Sequence, residues 1–340
     1  MIPENMSASI LIAPKRVQVQ TVPVPIPESD QVLVRIEAVG VCGSDTHFYL
    51  DGHIGDMVVT EPLILGHEAA GTIVAVGSDV DSARIGQRVS IEPQKPCTTC
   101  EYCLSGRYNL CVCMEFYAAP PVNGAFAEYA VIQAKFAYEV PDSVSIEAAA
   151  LLEPLSVAIA ACRSARVTPG SRVLVAGAGP IGLLVARVSV LMGASEVKIS
   201  DPVQHRRDMA VQGWATEAID PRTPKSASEI PWADVFIDAS GAAPAIQAGI
   251  RSLKPRGRTV LVGMGADDVL LPVSVIQNRE IELTGIFRYV DTWPAAIEMV
   301  ATDAVDIDAL ITNRFGLHRV EEALLCGSED PFAIKSVIIP

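Results

Sequence analysis

Four cysteines stand within fifteen residues in the pattern Cys97-x2-Cys100-x2-Cys103-x7-Cys111, with Gly106 and Asn109 supplying turns before the last. Thiolates at that spacing suit a tetrahedral zinc ion. A site closed by four sulfurs has no open position, so its role is to staple a loop and not to react. Cys113 is surplus to the tetrad and reads as a free thiol. A second set is spread along the chain: Cys42-Gly-Ser44-Asp45-Thr-His47, Gly66-His67-Glu68 and Glu153-Pro154. A lone Cys or His in a strand-rich segment is more often core packing than a ligand. Together these residues offer one sulfur, one imidazole and two carboxylates, a set that can hold a catalytic zinc and leave a position open for water or substrate.

A third constellation, Val173-Leu-Val-Ala-Gly177-Ala-Gly179-Pro180-Ile181-Gly182, is a GxGxxG directly after an apolar run and directly before a helical one. Gly177 allows the tight turn, Gly179 lets backbone approach a pyrophosphate, and Gly182 permits close helix packing, while the helix start offers free amides to the anion. Asp201 follows nineteen residues after Gly182, at the end of the next strand. An acid there accepts hydrogen bonds from a ribose 2′-hydroxyl and repels a 2′-phosphate, which favours NAD over NADP. Arg206 is placed either to stack near the adenine or, were Asp201 turned away, to admit a phosphate.

The elements that must position these residues fall into two styles. From Ala8 to about Ala134 the chain is β-rich: Gln31-Val-Leu-Val-Arg-Ile-Glu-Ala-Val alternates apolar and polar, and Gly71-Thr-Ile-Val-Ala-Val-Gly reads as a buried strand. From about Pro154, apolar strands at 172–176, 196–200, 234–238 and 259–263 alternate with helical stretches such as Ile181 to Met192, the pattern of a parallel sheet covered by helices. A helix-like segment at 293–301 and a closing strand at 336–339 are too little to form a domain and are expected to return to the first one. The predicted architecture is α/β with two domains, the second a doubly wound Rossmann sheet.

Composition narrows the function classes. The 340 residues carry 26 Lys+Arg against 40 Asp+Glu, a net charge of −14, which excludes the basic footprint that nucleic-acid binding demands. Half of the residues are hydrophobic and 19% are charged, ample for a buried core. The longest apolar run, between Arg172 and Arg187, is too short and too interrupted by Gly177, Gly179 and Pro180 to span a membrane, and the first residues have no signal-peptide pattern. Five of eight cysteines crowded into one segment favour metal over disulfides, hence a reducing, cytoplasmic setting.

Cys42-Gly-Ser-Asp, Gly66-His-Glu-Ala-Ala-Gly71, the Cys97 to Cys111 tetrad, Glu153-Pro-Leu-Ser and the Gly177 to Gly182 turn occur in the order typical of zinc-dependent medium-chain dehydrogenases, and the chain resembles that family over nearly its whole length. Glu153-Pro154-Leu155 stands where alcohol dehydrogenases proper carry a third-ligand cysteine, and Ile286-Phe-Arg288-Tyr289-x2-Thr-Trp293-Pro is similar to the sorbitol and xylitol (polyol) dehydrogenase branch. The resemblance implies a GroES-like catalytic domain (1–154 and 289–340), a cofactor domain between (155–288), and homo-oligomers, commonly tetramers. It implies one catalytic and one structural zinc per subunit, NAD as the hydride acceptor and a polyol oxidised at a secondary hydroxyl to the ketose.

In that scheme Cys42, His67 and Glu68 hold the catalytic zinc, and Glu153 binds it directly or through water. Ser44 takes the alcohol proton and His47 passes it towards solvent. Arg288 and Glu153 are the polar partners expected for a polyhydroxylated chain, since a site built to bond a hydroxyl rejects analogues that lack it. Asp45 is placed to orient the zinc ligands from behind, and Phe48 and Tyr49 either line the pocket or pack. A zinc dehydrogenase acting on threonine, butanediol or an aldose is the first alternative; a non-catalytic dinucleotide-binding protein is the second, and the intact set from Cys42 to Glu153 speaks against it.

Overall fold

The computed structural model describes residues 1–223 and 231–340. The chain divides into two compact units, Met1–Glu153 with Trp293–Pro340, and Pro154–Thr292.

The first unit is built on a seven-stranded sheet. Its order runs Ala137–Glu139, Arg88–Ile91, Glu68–Val76, Gln31–Gly40, Lys335–Ile339, Ile311–Gly316, and Tyr129–Gln133 pairs with the first half of Gln31–Gly40. The strand Gln31–Gly40 is therefore flanked along its whole length, antiparallel to Glu68–Val76 with Gly40 opposite Glu68. Its first four residues are all buried, where simple alternation predicts every second one. Layers on both faces account for this, among them the helix Ile146–Ala150. A smaller sheet, Arg16–Pro23, Asn5–Ala13 and Leu63–Ile64, encloses a core with Leu11, Ile73, Phe126 and Ile91 nearly free of solvent.

The C-terminal segment belongs to this unit. The helix Trp293–Ala301 begins with a fully buried Trp293 whose Nε1 donates to Ser90 Oγ at 3.0 Å, and Ser90 Oγ donates to the Ala149 carbonyl at 2.7 Å. The last strand, Lys335–Ile339, enters the sheet interior between Gln31–Gly40 and Ile311–Gly316. A terminal strand paired on both sides is held by a double ladder and is not a fraying tail.

The second unit holds six parallel strands among the described residues, in the order Glu217–Ile219, Glu196–Ser200, Arg172–Ala176, Ala233–Asp238, Leu253–Leu261, Glu282–Gly285. Val173, Val175, Val197, Ile199, Phe236 and Ile237 are fully buried, as β-branched and aromatic side chains are when helices cover both faces. The order reverses at Arg172–Ala176, the first strand of the unit, which is flanked by the second strand on one side and by Ala233–Asp238 on the other. In open parallel sheets ligands bind beyond the carboxyl ends of the strands at such a reversal.

Candidate functional site

The first functional cluster grows from the end of the strand Gln31–Gly40. Cys42 caps the helix Gly43–Asp51, and the turn is tied by Asp45, whose Oδ2 accepts the Cys42 amide at 3.0 Å. The segment read from sequence as part of a strand-rich stretch thus opens a helix, closed at Gly52 in the left-handed conformation (φ 74°). Asp45 Oδ1 accepts the Gly66 amide at 3.0 Å and lies 3.6 Å from His67 Nδ1, so one fully buried carboxylate fixes Cys42 and the Gly66-His67 turn together. Burial works against charge on both partners, but their mutual attraction wins: Asp45 is held below the usual carboxylate range and His67 well above that of an imidazole. The His67 ring also packs against Phe116, centroids 5.5 Å apart.

Cys42, His67 and Glu68 offer ligand atoms that all lie within 4.8 Å of one another. His67 and Glu68 are buried and Cys42 is half-buried. Glu68 is 1% exposed, and its charge partner among the described residues is the Lys335 ammonium, 2.6 Å from Oε2. A sulfur, an imidazole and a buried carboxylate gathered at one point fit a zinc ion better than they fit packing. Gly40 makes room for this carboxylate: a Cβ there would stand 2.0 Å from Glu68 Oε2. Glu153 lies outside the three-atom group, 5% exposed on the helix Leu152–Ala165.

The structure adds a residue that no motif announced. Lys335, 4% exposed, donates from Nζ to Glu68 Oε1 at 2.7 Å and to the Val41 carbonyl at 2.8 Å. Its only signal in the sequence is a lone cation in the apolar run Phe332-Ala-Ile-Lys-Ser-Val-Ile-Ile.

Around the cluster, Ser44 is half-buried on the first turn of the Gly43–Asp51 helix, and His47 one turn on is exposed, its Nδ1 3.4 Å from Asp51 Oδ2. Phe48 and Tyr49 are core residues, 4% and 3% exposed, with the Tyr49 hydroxyl donating to Glu321 Oε1 at 2.6 Å. Of the two roles open to them from sequence, packing is the one observed. Arg288 belongs to the second unit, in a left-handed conformation (φ 58°) with its guanidinium 4.5 Å from the Phe287 ring.

The cysteine tetrad forms a separate group in the first unit, again with all four sulfurs within 4.8 Å. Cys100 Sγ lies 3.5 Å from Cys103 Sγ, and the Cys97 amide donates to Cys111 Sγ at 3.2 Å. Amide donors from Thr99 and Cys100 pull the Cys97 thiol down to about 6, towards the thiolate that a metal requires. Cys113 is exposed and stands outside the four.

In the second unit, a cavity of about 730 Å³ opens at the sheet's reversal point, lined by Gly177, Gly179, Ser200, Asp201, Arg206 and Arg251 among others. Gly177 is left-handed (φ 91°), and a Cβ on Gly182 would meet the Gly177 carbonyl at 1.7 Å, whereas one on Gly179 would meet nothing. That open side is the approach a pyrophosphate needs. Pro180 and Ile181 open the helix Pro180–Leu191 beneath it. Asp201 accepts the Ala178 amide at 2.8 Å and the Val203 amide at 2.7 Å, one on each oxygen, and each oxygen retains a lone pair for a further donor. Arg206 faces the cavity, and its buried Nε has no hydrogen-bond partner among the described residues.

Comparison with known proteins identifies relatives along nearly the whole chain. Residues 28–142 match the alcohol dehydrogenase GroES-like domain and residues 180–302 the zinc-binding dehydrogenase domain. The chain is 39% identical over 330 residues to the sorbitol dehydrogenase of Bacillus subtilis (strain 168), covering 95% of this chain and 94% of that one. It is 41% identical to the sorbitol dehydrogenase of Bos taurus, covering 94% and 92%. Among solved structures, L-idonate 5-dehydrogenase from Escherichia coli superposes with a TM-score of 0.92 at 28% identity, over 99% of this chain and 98% of that one.

Proposed function

Because this chain belongs to the zinc-dependent medium-chain alcohol dehydrogenase family, we propose that it oxidises a secondary hydroxyl of a sorbitol-, xylitol- or galactitol-type polyol to the ketose, passing hydride to NAD. The observation that carries the chemistry is the convergence of Cys42, His67 and Glu68 on one buried point. Kinship to two sorbitol dehydrogenases at 39% and 41% identity carries the substrate class.

When bound, the zinc supplies Lewis acidity to the substrate hydroxyl and the nicotinamide supplies the hydride acceptor. The chain's residues do the rest. Cys42, His67 and Glu68 hold the metal, with Asp45 fixing the His67 ring and the Cys42 turn from behind. Ser44 Oγ accepts the hydroxyl proton, and His47, exposed and paired with Asp51, delivers it to solvent. Glu153 and Arg288 bind the further hydroxyls of the polyol, and Glu153 also serves the metal, directly or through water.

We assign Gly177, Gly179, Pro180, Ile181, Gly182, Asp201 and Arg206 to the dinucleotide. The Asp201 carboxylate reads the ribose diol and selects NAD over NADP, and Arg206 lies beside the adenosine end. Cys97, Cys100, Cys103 and Cys111 hold a second, structural zinc, giving two per subunit. The crowding of five of the eight cysteines into one metal-type segment supports a reducing, cytoplasmic setting. A homotetramer is the expected assembly. The edge strand Glu282–Gly285 supports self-association: among the described residues nothing pairs with its outer side, it carries a part-exposed Leu283 and it is followed by an exposed Phe287.

The test is initial-rate NADH formation by zinc-loaded protein on sorbitol, xylitol, galactitol, ribitol, L-threonine, butanediol, glucose and simple alcohols, repeated after chelation. Chelator-sensitive turnover of a polyol is expected. Turnover confined to threonine, butanediol or an aldose would replace the polyol reading with its first alternative.

A further inference from the structure

The buried lysine beneath the three-residue cluster has no place in the scheme above. Lys335 Nζ donates to Glu68 Oε1 at 2.7 Å and to the Val41 carbonyl at 2.8 Å, and it also lies 2.6 Å from Glu68 Oε2. Both ends of the pair are out of water, at 4% and 1% exposure. An ammonium in that position needs a counter-charge, and Glu68 is the carboxylate it touches. Glu68 is also the carboxylate whose oxygen comes within 4.8 Å of Cys42 Sγ and His67. One carboxylate therefore serves two cations.

We propose that Lys335 is a positioning residue for the metal: by sharing the Glu68 carboxylate it weakens Glu68 as a ligand, so that the ion retains more of its charge and an open position. The inference rests on the zinc reading above. The charge balance explains why it matters. A divalent ion held by one thiolate and one undivided carboxylate is fully neutralised by those two ligands, whereas an ammonium on the same carboxylate offsets part of that neutralisation.

A consequence separates this role from simple support of the strand. With Lys335 removed, the metal-free protein keeps a buried carboxylate without its counter-ion, and in the metal-loaded protein the ion takes over that duty. The metal-free form then loses more stability than the loaded form, and by linkage the metal binds more tightly. A residue that merely packs would weaken both forms alike.

The experiment follows zinc release from the loaded full-length chain into excess chromogenic chelator, together with the melting temperatures of the loaded and stripped forms. Wild type is expected to release zinc in two phases, one of them missing from Cys42→Ala. In Lys335→Met that phase should slow by roughly tenfold or more, as expected for relief of an unpaired buried charge, and the gap between loaded and stripped melting temperatures should widen. Lys335→Arg should restore both, because it returns the charge. If Lys335→Met does not fold without metal, Lys335→Gln provides the same two readouts with a side chain that keeps a hydrogen-bond donor. An unchanged or faster phase, or an equal loss of stability in both forms, would overturn the inference while leaving the zinc reading intact. Two phases surviving in Cys42→Ala would overturn the zinc reading itself, and the inference with it.

Discussion

At the scale of the residue, the chemistry divides cleanly between the two units. Asp201 spends one lone pair of each oxygen on a backbone amide and keeps the others open, as its proposed role towards a ribose diol requires. Asp201→Ala is accordingly expected to weaken NAD and narrow the preference over NADP by roughly tenfold to a hundredfold, the worth of a hydrogen bond to a charged group. Steady-state kcat/KM for the two cofactors measures this, and an unchanged ratio would assign the ribose to another group. Cys42→Ala removes the one sulfur of the three-residue cluster and should abolish turnover while NADH still binds, as fluorescence would report. Gly40→Ala tests packing at the same point: its Cβ would stand 2.0 Å from Glu68 Oε2, so zinc content should fall although no ligand is altered. The first two positions were legible in the sequence because residue type and local context announce them. Gly40 and Lys335 were not, because their roles exist only once the strand Gln31–Gly40 pairs with Glu68–Val76 and with the chain's last strand.

At the scale of the element, the cysteine lobe shows what spacing can and cannot say. The helix inside it, Glu101–Leu104, has four residues, far below the length at which a helix holds itself together. Its order has to come from cross-linking, and the four sulfurs are already gathered within 4.8 Å. Cys100→Ser is therefore expected to remove one zinc per chain and lower the melting temperature by roughly 5 °C or more, with metal analysis and calorimetry as the readouts. Cys113→Ser should change neither, since that thiol is exposed and outside the group; loss of a zinc in this variant would make Cys113 a ligand. Tetrad and dinucleotide turn were readable because each is a contiguous stretch whose own backbone presents the site. The helix Gly43–Asp51 was not, because its start is fixed by Asp45 reaching both Cys42 and Gly66, the latter twenty-one residues further along the sequence. Phe48 and Tyr49 were ambiguous for a related reason: periodicity marks them as apolar but not which wall of the helix faces the core.

At the scale of the whole molecule, the chain leaves its first unit at Pro154 and returns to it at Trp293. The second unit is continuous and carries its own core, with Phe236, Ile250 and Leu253 fully buried. The first unit depends on residues from both ends of the chain, and its last strand is interior to the sheet: Val337 and Ile338 face Gly40 and Val39 on one side, and Ile311–Gly316 pairs on the other. That strand also delivers Lys335 to Glu68. Ending the chain at Ile334 removes an interior strand and exposes the edge of Gln31–Gly40 near the Cys42 turn, a loss of scaffold that outweighs the tighter metal binding expected from removing Lys335 alone. The expected outcome is loss of the zinc assigned to Cys42, His67 and Glu68 and loss of turnover, while the continuous second unit still binds NADH. Zinc analysis and NADH fluorescence on the truncated chain report the two events separately. A truncated chain that keeps both its metal and its cofactor would mean that the strand Gln31–Gly40 and the Asp45 bonds hold the site without the returning segment.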